Sequence, residues 1–206
     1  MNDAVTSADV VRPVTHLLYL HGFRSSPQSA KSRMTAAWMQ QHRPDVHWWC
    51  PQLPPSPREA MQNIFERIDS WPAANTAVIG SSLGGFYATA VAERIGCRAV
   101  LLNPAVNPAR DLKKHIGETT AWHSEERFFF RAEFVDELLP MVPEQLTRPE
   151  RYFAVIAKGD EVLDWHEMTG RYRGSKIKLL EGGDHAIGDF DQHLPDVVGF
   201  LGLSAA

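Results

Sequence analysis

The chain has little sulfur chemistry to offer. Among its 206 residues there are two cysteines, Cys50 and Cys97. They stand too far apart for a C-x-x-C pair, which argues against a zinc site or a disulfide framework. Both are expected to act as small buried apolar residues, a usage that fits a reducing cytoplasmic setting. There is no basic surplus either, the formal net charge being −4. A chain without excess Lys and Arg cannot neutralise a phosphate backbone, so a nucleic-acid partner is not expected. No apolar run is long enough to span a bilayer. The first residues, Met1 to Pro13, carry Asp3 and Asp9 and lack both a basic start and an apolar stretch. They do not read as a secretory signal, and 1–14 is expected to be a flexible tail. Repeats and low-complexity tracts are missing, and no histidines stand at metal-ligand spacing.

What the chain does have is an ordinary globular composition, 44% hydrophobic and 22% charged, in a length that suits one domain. Short apolar runs alternate with amphipathic stretches. Strands are predicted at 15–20, 46–50, 76–80, 99–102, 152–157 and 176–180. Most are nearly continuous in apolar residues, as strands of a parallel sheet covered on both faces must be. Helices are predicted over 26–42, 57–71, 83–95, 164–172 and 188–201. Ser26-Pro27 and Pro57 serve as start signals and Gly96 as a stop, and Pro195 should start, break or kink the last helix. This alternation predicts a doubly wound α/β sheet spanning 15–206. The rhythm breaks at about 105–149, an irregular stretch that includes Trp122 and Phe128-Phe129-Phe130. It is too long for a simple connection and is expected to form a small inserted cap.

Gly80-Ser81-Ser82-Leu83-Gly84 carries the chemistry. At typical glycine usage, a bare G-x-S-x-G would arise by chance in ~5–10% of chains this long. Here it also follows a predicted strand and opens a predicted helix, the context a nucleophile elbow requires. Ser82 is therefore the candidate nucleophile. The sequence has no phosphate-cradling G-x-x-x-x-G-K-[ST] or G-x-G-x-x-G pattern to explain the glycines otherwise. Leu20-His21-Gly22-Phe23 ends the first strand. Its loop can supply the Phe23 backbone N–H to an oxyanion, with the Leu83 N–H as second donor. His21 could be a base, but is better read as a turn-shaping residue.

Lys158-Gly159-Asp160-Glu161-Val162-Leu163-Asp164 follows a strong strand. A carboxylate there can orient an imidazole. Asp160 is favoured because it lies nearest the strand end. Asp164 is the alternative acid or a helix cap, and Glu161 reads as a solvated loop charge. Glu181-Gly182-Gly183-Asp184-His185 follows the last strand, with glycines that let the chain turn the histidine back over the sheet. The order Ser82, Asp160, His185 is that of an α/β-hydrolase triad. His166, near Asp164, is the other histidine that could serve as base. Phe128 to Phe130 could line an acyl pocket or simply pack the insert onto the body.

Together these segments resemble the YqiA-like esterases (UPF0227), a small bacterial branch of the α/β hydrolases. The matching stretches are Leu18-Tyr19-Leu20-His21-Gly22-Phe23, Ser25-Ser26-Pro27, Pro51-Gln52-Leu53-Pro54-Pro55, the elbow through Gly85, Leu102-Asn103-Pro104-Ala105-Val106, Gly159 to Asp164, and Glu181 to Ala186. The likeness runs from about His16 to Leu203 and is weakest in the cap. It implies a minimal α/β-hydrolase sheet of six parallel strands in the order 2-1-3-4-5-6. It also implies serine-esterase activity on short acyl esters and acyl-CoA thioesters. Such chemistry takes a small-molecule ester or thioester and needs no metal or organic cofactor. Amide cleavage, or a non-catalytic protein on the same fold, is the alternative. Oligomeric state is not readable from the sequence.

Overall fold

The computed structural model describes residues 13–120, 127–141 and 144–203. Most of the expected tail, and Trp122 of the insert, lie outside them. Elements follow in the order β1 (His16–Leu20), α1 (Ala30–His42), β2 (His47–Trp49), α2 (Pro57–Ile68), β3 (Thr76–Ser81), α3 (Leu83–Ile95) and β4 (Arg98–Leu102). Then come α4 (Pro108–Asp111), β5 (Gly117–Thr120), β6 (Arg127–Phe130), α5 (Ala132–Leu138), β7 (Tyr152–Ala157), α6 (Trp165–Arg171), β8 (Lys176–Leu180) and α7 (Phe190–Phe200).

Six strands pair in parallel in the order β2-β1-β3-β4-β7-β8. This is the order expected from the sequence once the separate β5–β6 pair is set aside. The central strands earn their place by composition. Every residue of β3 and β7 is buried, and burying a large aliphatic or aromatic side chain is worth about 1.5–3 kcal/mol. The sheet separates two apolar layers. Ala60, Met61 and Ile64 of α2, most of α3, and Met168 pack with Leu18, Leu20 and Val78 on one side. Met39 of α1 and Phe190, Leu194 and Val197 of α7 pack with Leu17, Tyr19 and Ile79 on the other. Adjacent strand residues point to opposite faces, so a continuous apolar run feeds both layers at once.

Helix ends follow local chemistry. Ser56 accepts a hydrogen bond from the Glu59 N–H at 3.2 Å and Pro57 fills the first turn of α2. Gly96 ends α3 in the left-handed conformation. The first helix starts later than Ser26-Pro27 suggests. Ser26 accepts from the Gln28 N–H through Oγ and from the Ser29 N–H through its carbonyl. These bonds make a tight turn, and α1 begins at Ala30. The last helix runs through Pro195. The carbonyl left without its donor belongs to Asp191, on the exposed side of the helix, where water can satisfy it.

The stretch 105–149 is less irregular than its sequence suggests. β5 and β6 pair antiparallel, with Thr119 opposite Phe128 and Gly117 opposite Phe130. Phe130 is fully buried, whereas Phe129 is 60% exposed, the alternation expected along a strand. Among the described residues, contacts tie the segment to the body at several places, Arg110 to Glu167 and the Thr147 N–H to Glu93 among them. The Glu137 carboxylate of α5 accepts from Ser56 Oγ at 2.7 Å and from the Arg58 N–H at 3.0 Å, at the positive end of α2. Arg24 Nε donates to the Thr120 carbonyl at 2.5 Å. Among the described residues, no helix is long and apolar enough to cross a membrane.

Candidate active site

The elbow is built by steric exclusion. Ser82 sits at φ 56° and ψ −121°, a conformation costly for any residue with a side chain and held only by its surroundings. A Cβ on Gly80 would lie 2.1 Å from the Gly84 carbonyl oxygen, and one on Gly84 would lie 2.0 Å from that of Leu20. No side chain fits at either flank, which is why both positions are glycine. The bend is pinned on the far side as well. The Ser82 N–H donates to the Leu102 carbonyl at 3.0 Å, and its own carbonyl accepts from Gly85 and Ala105.

Three side chains converge there. His185 Nε2 lies 3.0 Å from Ser82 Oγ. His185 Nδ1 lies 2.8 Å from Asp160 Oδ2. A carboxylate oxygen can only accept, so Nδ1 carries the proton and Nε2 is left as an acceptor facing the hydroxyl. The Asp160 side chain is fully buried and that of His185 is 22% exposed. The other carboxylate oxygen of Asp160 accepts from the N–H groups of Val162 and Leu163 at 2.8 and 2.9 Å. A buried charge so completely bonded is fixed in place.

The other candidates are held elsewhere. Asp164 caps α6, accepting from the His166 N–H at 2.8 Å, and its side chain also meets His166 Nδ1. Both residues are exposed and hydrogen-bonded to each other. Backbone and imidazole contacts hold the Asp164 carboxyl below the usual range. His21 is buried, with Nδ1 donating to the Gly22 carbonyl at 3.0 Å and Nε2 accepting from the Leu53 N–H at 3.1 Å. Burial pushes its pKa below the ordinary histidine value, against the bond to Gly22. Both ring nitrogens are spent on the backbone, the turn-shaping part expected of it.

Phe23 and Leu83 line one cavity of about 460 Å³ with Ser82 and His185. Leu83 is the first residue of α3, so its amide has no partner within the helix. Among the described residues, neither its N–H nor that of Phe23 donates to a protein acceptor. A second cavity of about 500 Å³ shares the wall Gly22 to Ser25 and Leu83, and Phe128 and Tyr87 help to line it. Phe128 and Phe130 both pack edge-on against Phe23. The aromatic run therefore lines a cavity and also anchors the hairpin. Among the described residues, no cluster of three or more His, Cys, Asp and Glu is placed to hold a metal.

Two further residues, Asn103 and Glu161, support the turn that carries His185. Asn103 is fully buried with φ 42°. Its Nδ2 donates to the carbonyls of Asp184 and His185 at 3.1 and 3.2 Å, and its Oδ1 accepts from the Ala157 N–H at 2.8 Å. It ties the end of β7 to the turn carrying His185. A lone amide closing the apolar run of β4 was the available signal. Glu161 is exposed, as a solvated charge would be, but it also accepts from the His185 N–H at 3.0 Å. The two loops cross closely, since a Cβ on Gly159 would lie 2.2 Å from the Gly183 carbonyl oxygen.

Comparison with known proteins gives a consistent frame. A model of the uncharacterised protein family UPF0227 matches residues 16–202. A UPF0227 protein of Yersinia enterocolitica is 24% identical over 193 residues, covering 91% of this chain and 99% of that one. Among solved structures, mouse alpha/beta hydrolase domain-containing protein 10 is similar at a TM-score of 0.66 and 15% identity, covering 90% of each chain. The esterase domain of a Rhodothermus marinus protein is similar at a TM-score of 0.65 and 18% identity, covering 95% of this chain and 89% of that one. The fold is that of the α/β hydrolases.

Proposed function

The chain belongs to the UPF0227 family, and from that premise and the contacts around Ser82 we propose that it is a serine esterase acting on carboxylic esters or thioesters. The observation that carries the reading is the continuous relay Asp160–His185–Ser82, with both contacts at hydrogen-bond distance. The likeness to an esterase domain supports it at the level of fold.

In this reading His185 Nε2 takes the Ser82 proton as Oγ attacks the acyl carbon. The imidazolium that forms is stabilised by the buried Asp160 carboxylate, which keeps its charge throughout. Negative charge gathers on the carbonyl oxygen, where the N–H groups of Phe23 and Leu83 are free to receive it. One such donor is worth about 3 kcal/mol of barrier. As the tetrahedral intermediate collapses, His185 returns the proton to the departing alkoxide or thiolate. Water, deprotonated by the same imidazole, then attacks the acyl-enzyme, and the acid leaves with Ser82 restored. The largely apolar wall of the 460 Å³ cavity suits a short acyl group. The insert at 105–149 serves as its cap, and a cytoplasmic setting completes the proposal.

Hydrolysis of p-nitrophenyl esters tests it, together with covalent labelling by an alkyl phosphonate. Ser82→Ala should abolish both while leaving thermal unfolding intact. Turnover near the wild-type level in that variant would remove the nucleophile. A wild-type protein that is folded but neither labels nor turns over would favour a binding role instead.

A further inference from the structure

Lys31 is oddly placed for an ordinary surface lysine. It lies in the first turn of α1, the end of the helix where the backbone dipole disfavours a cation. It is only partly exposed and lines the cavity that holds Ser82 and His185. Its Nζ donates to the carbonyl of Ala186, the residue immediately after His185. Helix polarity and desolvation both oppose a charge there, so neither explains it. The hydrogen bond to the histidine turn, reaching across from the other end of the chain, does.

We propose that Lys31 is a positioning residue whose ammonium, by holding the Ala186 carbonyl, keeps His185 Nε2 within reach of Ser82. The inference rests on the Ser82–His185 reading above. The surrounding charges support it. Asp160 and Asp184 act on the ammonium from the loops after β7 and β8. Glu161 and His185 share the cavity wall, and Asp111, Lys114 and His115 line it from the insert, with Arg24 from the loop after β1. Burial lowers the Lys31 pKa to about 8, against the pull of Asp184 and Asp160. Below that pH the amine is charged and its bond to the carbonyl is charge-assisted. Above it a neutral amine holds the turn roughly half as strongly.

The test is the pH dependence of kcat and KM on a p-nitrophenyl ester for wild type, Lys31→Met and Lys31→Arg, with thermal unfolding measured alongside. The wild type should lose kcat as pH rises through about 8. Lys31→Met should show lower kcat at neutral pH by about 10²-fold, the cost of a misplaced catalytic group, with KM little changed and no falling limb near pH 8. Lys31→Arg should recover much of kcat and carry its charge past pH 10. A wild type with no alkaline fall overturns the proposal. So does a Lys31→Met that turns over within twofold of wild type, or one that loses stability while keeping the wild-type pH profile. Should Lys31→Met not fold, the wild-type profile and Lys31→Arg still decide. Loss of activity in Ser82→Ala alongside an indifferent Lys31→Met would sink this inference alone. Retained activity in Ser82→Ala would sink the underlying reading.

Discussion

Replacing Asn103 by Ala removes three hydrogen bonds at once, two to the turn bearing His185 and one, buried, to the end of β7. At about 1 kcal/mol net for each bond, the loss is about 3 kcal/mol. Alanine tolerates the positive φ of this position less well than asparagine, which adds to it. For a domain of this size, about 3 kcal/mol lowers Tm by roughly 6–12 °C. The effect on turnover should exceed what stability alone explains, because the released turn carries the proposed base, His185. A displacement of about 1 Å costs on the order of 10²-fold in kcat. Urea titration and p-nitrophenyl ester kinetics on the same preparation separate the two effects. Asn103→Asp sharpens the test. It keeps an acceptor for the Ala157 N–H but sets carboxylate oxygen against two carbonyls, so it should disturb the histidine turn as badly as alanine does. An Asn103→Ala protein within 1 kcal/mol of wild type and within threefold in kcat would refute the account of this residue.

Asp160→Asn should lower kcat by about 10⁴-fold, since an amide cannot hold the imidazole in the required tautomer. Asp164→Asn should keep nearly full activity and change stability by less than about 1 kcal/mol; the reverse ranking in steady-state kinetics would reassign the acid. The two thiols should be sluggish toward iodoacetamide in the native protein at pH 8. Burial raises the Cys50 pKa to about 11 and that of Cys97 to about 12, so little thiolate exists below those values. Mass spectrometry would show labelling rise only on adding denaturant.

The inner strands of the main sheet were legible because each is a nearly continuous apolar run, and a run buried on both faces cannot hide its composition; β2 and β8, only partly covered, showed through the aromatic and aliphatic residues they carry. The turns that bring Ser82, Asp160 and His185 together were legible because tight turns at strand ends need glycine, and Gly80, Gly84, Gly159 and Gly183 mark them. What escaped depends on parts of the chain that meet only after folding. Asn103 reaches a turn 81 positions away and Lys31 one 155 positions away, and no local pattern encodes either bond. The β5–β6 pair escaped because Gly117-Glu118-Thr119-Thr120 has no apolar periodicity of its own; its register is set by Phe128 and Phe130 finding Phe23. At Ser26-Pro27 a helix-start signal was satisfied locally as a turn instead.

The placement of β8 has a cost for durability. It forms one margin of the sheet, paired on a single side and only partly covered along its length, whereas β3 is sandwiched and wholly buried. The hydroxyl thus stands on the most secure ground in the molecule, while its imidazole partner hangs from the selvage. Fraying of that last strand would unhook the pair long before the interior gave way. Warmed protein should therefore fall silent while its amides in β1, β3 and β4 still resist exchange with deuterium.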